Sequence, residues 1–92
     1  MDFITVFNIA LTEAKYKEPE ALATSLDDTI KGLRIDSLDC VLLGSLLADI
    51  FGIAEEKADE MPMTNLTELA AYVNKHKTKD VVSEEAVLAA LT

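Results

Sequence analysis

The 92-residue chain shows its organisation first in the spacing of apolar positions. Phe3, Val6, Phe7, Ala10, Leu11 and Ala14 recur at intervals of three and four, which predicts a helix with Thr5, Asn8, Thr12, Glu13 and Lys15 on its polar side. Pro19 disfavours helical geometry at Glu18, so this helix is expected to stop near Lys17. Residues 19–36 have no sustained period. Their polar cluster and Gly32 read as a long loop holding one short turn at most, with Leu22, Leu26, Ile30 and Leu33 as its expected anchors. A connection of that length in so small a domain tends to be functional.

A second helix is predicted from about Leu38 to Phe51, started by Asp36 or Ser37 as N-cap, with Asp39 suited to the positive end of the helix dipole, and stopped by Gly52. Its apolar residues surround the whole circumference, leaving only Asp39, Ser45 and Asp49 polar. Such a helix is either buried on every side or lends one face to a partner. Leu42 and Leu46 fall between Asp39 and Asp49 on the helical wheel, so these three positions, Leu42, Leu46 and Asp49, form the expected contact face; cover by the preceding loop is the alternative. Residues 54–63 are acidic, contain Pro62 and predict a loop with one short helix. Thr64 or Asn65 then caps a helix whose stripe is Leu66, Leu69, Ala70 and Val73, and Lys75, His76 and Lys77 suit its C-terminus. In the tail, Ser83 can cap a helix carrying Val87, Leu88 and Leu91, too short to stand alone. The expectation is an all-α bundle of three main helices and one short helix over residues 1–77, with 78–92 as an extension that docks or frays.

Composition narrows the function. A chain of this size buries only about 60–65% of its unfolded surface, which favours a binding or carrier module over a deep active site. Its 17 acidic and 8 basic side chains leave a net charge of −9. That charge argues against nucleic acid and anionic membrane surfaces, and it suits basic protein partners. One cysteine, Cys40, allows no internal disulfide, and no signal-peptide or membrane-length apolar run is present, so a reduced, cytoplasmic monomer is expected.

Candidate chemistry is sparse. Asp27–Gly32 has a glycine at the sixth place of a possible calcium loop, but Lys31 and Leu38 stand where oxygen ligands belong. The sole histidine, His76, lies on another helix than Ser37 or Cys40, so no nucleophile has a base beside it, and three scattered glycines make no phosphate cradle. No enzyme activity is expected. What remains is Ser37, held between Asp36 and Leu38-Asp39 at a helix start. It is either a cap or a hydroxyl presented to another protein's active site, where the helix N-terminus also suits a phosphate.

The strings LRIDSLDCV (33–41), LADIFGI (47–53) and MTNLTELAAYVNKH (63–76) carry a resemblance to the acyl carrier protein family over about residues 30–76. The resemblance implies a four-helix carrier fold with 4′-phosphopantetheine attached to Ser37 by a phosphopantetheinyl transferase. Asp36, Leu38 and Asp39 would flank the site. Acyl-loading, ketosynthase or acyltransferase-type enzymes of fatty-acid, lipid or polyketide-type synthesis would be the partners. Aminoacyl or peptidyl carriers share the serine and the helix order, and a non-carrier acidic interaction module is the reading from another class. Several positions depart from the family pattern: Arg34 stands where carriers place glycine, Leu42, Ala48 and Ile50 where acids are common, Gly44 and Ser45 where larger apolar residues are usual, and Glu55-Glu56 in place of an apolar–proline pair. These point to a dedicated carrier with a more apolar docking face.

Overall fold

The computed structural model describes residues 2–15, 21–81 and 83–91. Among these the chain forms five helices, α1 (Phe3–Ala14), α2 (Ser37–Phe51), α3 (Glu55–Ala58), α4 (Leu66–His76) and α5 (Glu84–Leu91), and no strand beyond one isolated bridge between Thr29 and Asn65.

The predicted stripes become the core. Val6, Phe7, Ala10, Leu11 and Ala14 of α1 are buried against Leu43, Leu47, Ile50 and Phe51 of α2, with Leu66, Leu69 and Val73 of α4 closing the bundle. Asp2 starts α1 by accepting the Thr5 amide at 2.8 Å, and that interaction lowers its carboxyl pKa. The helix closes on Lys15 as C-cap, earlier than Lys17; Lys17 and Pro19 lie outside the described residues. Gly52 ends α2 in the left-handed conformation at φ 65°, and any Cβ there would run into the Thr78 hydroxyl. Asn65 caps α4, accepting the Glu68 amide at 2.8 Å, whereas the Glu68 carboxylate turns to the Thr64 hydroxyl.

The connection from 21 to 36 is tied down by two of its four expected anchors and by hydrogen bonds. Ile30 and Leu33 are buried, but Leu22 and Leu26 are exposed, and Ala23 and Ile35 take their places in the core. The Asn8 side chain brackets Ala23, donating to its carbonyl and accepting from its amide. Leu26 contributes its carbonyl, which accepts the amide and hydroxyl of Thr67 at the start of α4. The tail docks: α5 packs on α1 and α2, and Val87 is fully buried. Ser83 starts α5 by accepting the Ala86 amide. No helix among the described residues is long and apolar enough to cross a membrane.

Candidate functional site

The start of α2 is built by the turn before it. The Ile30 amide donates to Thr64, the Leu33 amide to Thr29, and the Ile35 amide to Ile30, so Ile30, Leu33 and Ile35 are held in the core while the backbone reverses. Arg34 makes the reversal in the left-handed region, at φ 60°, the one non-glycine residue with positive φ among those described. A side chain is disfavoured there by roughly 1–2 kcal/mol, so the position suits glycine.

Asp36 follows in extended conformation and caps α2, its Oδ1 accepting the Asp39 amide at 2.9 Å. Ser37 therefore is the first helical residue and not the cap. It is exposed, and its hydroxyl makes no hydrogen bond among the described residues. Capping explains Asp36 and leaves the Ser37 hydroxyl unaccounted for.

The outer face of α2 is apolar beside that hydroxyl. Leu38 is 82% exposed and Val41 74%, far more than Leu42 at 38%. Of the three positions expected on the contact face, Leu42 and Asp49 are exposed, and Leu46 is half-buried against the core. Val41 is a member that helical-wheel reasoning missed; its spacing of three from Leu38 is the signal that would have found it. Asp39 carries a partner no sequence pattern announces: Lys15 at the end of α1 lies 2.9 Å from its Oδ2.

Two open grooves flank the site. One, of about 500 Å³, runs beside Ser37 with Lys31 and Arg34 on its rim and Ile30 and Ile35 among its walls. The other, of about 560 Å³, lies between α2 and the α3 segment, walled by Gly44, Ala48, Ile53 and Met61 and edged by Asp49, Glu55 and Asp59. Cys40 and Met63 line both. A Cβ at Gly44 would stand 3.3 Å from the Met63 methyl, so the missing side chain leaves width where the two grooves meet. The Cys40 thiol points to the Ile35 carbonyl at 3.9 Å; burial, then the carboxylates of Asp36 and Asp39, push its pKa above the ordinary thiol value.

His76 packs on the Tyr72 ring at 4.4 Å and lines neither groove. No group of three or more His, Cys, Asp or Glu side chains is placed to hold a metal among the described residues. No protein-family model, curated protein or solved structure matches the chain, so its all-helical architecture and this site are what bear on function.

Proposed function

We propose that the chain is an acyl carrier protein that holds 4′-phosphopantetheine on Ser37 and delivers acyl groups to partner enzymes. The observation that carries this reading is the exposed, unpartnered Ser37 hydroxyl at the first position of α2, with the capping duty performed by Asp36. A hydroxyl so placed is reachable by an external active site, and the helix N-terminus favours the phosphate that would result.

In the loading step, the Ser37 oxygen bonds to the phosphorus that bears pantetheine in coenzyme A. The bond from that phosphorus to the bridging oxygen of the diphosphate breaks, adenosine 3′,5′-bisphosphate leaves, and the hydroxyl proton passes to a base of the transferase. The transferase brings its own magnesium. The residues around Ser37 leave room for the group: Lys31 stands on the rim beside it, where its ammonium complements a phosphodiester anion and offsets the Asp36 carboxylate lining the same groove, and nothing among the described residues covers the hydroxyl. Once bound, the arm supplies a terminal thiol for thioester chemistry. This chain's own contribution is to present the serine, to turn the backbone through Arg34, and to offer the groove past Cys40 and Met63. The walls at Gly44, Ala48, Ile53 and Met61 give an aliphatic acyl chain an apolar surface to pack on, within a groove edged by Asp49, Glu55 and Asp59. With Leu38 and Val41 exposed, the docking face is more apolar than acidic, which suits a carrier dedicated to few partners.

The test is to incubate the protein with coenzyme A, magnesium and a promiscuous phosphopantetheinyl transferase and weigh it intact. Wild type should gain the mass of one phosphopantetheine and Ser37→Ala none. Wild type that gains no mass contradicts the proposal, and a gain retained in Ser37→Ala contradicts the site.

A further inference from the structure

The first turn of α2 holds two carboxylates in different states. Asp36 is exposed and stands in no ion pair among the described residues; its Oδ1 is occupied only by the Asp39 amide. Asp39 is bridged to Lys15 at 2.9 Å, and the two side chains are only 17% and 20% exposed. A partner's cation seeking Asp39 must displace an ammonium already in contact and partly withdrawn from water. Both side chains of the pair are largely withdrawn from water, so the exchange has to break a contact that is already desolvated, which opposes it. The same turn exposes Leu38 and Val41 almost fully.

We propose that Lys15 is an internal counter-ion that removes Asp39 from partner recognition, so that a partner surface with an apolar pocket rimmed by cations reads α2 through Leu38 and Val41, with Asp36 and Asp49 at the two ends. The net charge of −9 supplies the long-range attraction to such a partner. The local contact is then set by apolar fit, and Lys15 is a specificity-determining residue that touches neither the serine nor its cargo. The inference rests on the carrier reading, because the partner that first engages this turn is the enzyme that loads Ser37.

The experiment measures the second-order rate of phosphopantetheine transfer by a transferase with a cationic docking surface, at low salt. Lys15→Met keeps the aliphatic stem and exposes the Asp39 carboxylate; it should raise the rate about three- to tenfold, the scale of one added steering charge. Lys15→Arg keeps the cation and should stay at the wild-type rate. The double variant Lys15→Met with Asp39→Asn should lose the gain. Lys75→Met, an equal charge change at an exposed position of α4 that lines neither groove beside Ser37, should stay within about twofold of wild type. A Lys15→Met rate equal to or below wild type, in protein whose helical circular dichroism is unchanged, overturns the inference. So does an equal gain from Lys75→Met. Wild type that accepts no phosphopantetheine overturns the carrier reading and this inference with it, whereas loaded wild type with an unresponsive Lys15→Met overturns the inference alone.

Discussion

Arg34 and Ser37 stand three residues apart and have opposite relations to the fold. Arg34 occupies a left-handed position that costs a side chain energy, and the turn is kept because Ile30, Leu33 and Ile35 are anchored around it. Arg34→Gly should therefore raise the unfolding free energy by about 0.5–1 kcal/mol in urea titration, the relief of strain exceeding the extra entropy of an unfolded glycine; a loss of stability would show that the guanidinium contributes more than the strain. Sequence alone marked Arg34 only as a departure from the carrier pattern, because φ at a single position leaves no periodic trace. Ser37 was ambiguous for a different reason. Asp and Ser are both good N-caps, and a shift of one residue decides which is the cap and which faces outward; the Asp36–Asp39 hydrogen bond makes that decision. Cys40 adds a pH-dependent prediction. Because burial and two nearby carboxylates raise its pKa, less thiolate is present at a given mildly alkaline pH than on an unfolded chain. Alkylation by iodoacetamide should be slower in the native protein than in urea, and its rate should climb at a higher pH. Equal native and unfolded profiles would contradict that environment.

At the scale of elements, α1 and α4 were legible because their apolar stripes repeat with the helical period, and both bury most of the positions that spacing predicted, whereas α2, apolar all round, was legible as a helix but not in which side it buries. The 21–36 connection was not, since its anchors obey no period. Leu22 and Leu26 looked like core residues and are exposed, while the segment is held by the Asn8 amide and by backbone pairing to the start of α4. Asn8→Ala removes both partners of Ala23 and should cost roughly 1–3 kcal/mol, with faster amide exchange at Ala23 than in wild type. Unchanged exchange would place the anchoring of this loop elsewhere. The exposed side of α2 was half legible: an all-round apolar helix implied a contact face, and the wheel placed it at Leu42, Leu46 and Asp49, whereas the greatest exposure is at Leu38 and Val41. Burial on a helix this apolar depends on where α5 and the loop lie, which the helix's own sequence does not encode.

Across the whole molecule, α5 belongs to the core and is not a loose extension. Val87 is fully buried, and the Thr78 and Lys79 amides both donate to the Phe51 carbonyl, tying the segment after α4 to the end of α2. Val87→Ala should destabilise the entire bundle by about 1–2.5 kcal/mol in a single unfolding transition; a separate low-temperature transition would show that α5 melts independently. The chain thus brings the helices around one core and leaves the beginning of α2 as the place where a hydroxyl, an apolar face and an open groove meet. The carrier account is tested most directly by localising the modification. After treatment with coenzyme A, magnesium and a promiscuous phosphopantetheinyl transferase, fragmentation by tandem mass spectrometry should place one phosphopantetheine on Ser37 and nowhere else; an unmodified Ser37, or the group on another residue, would contradict it.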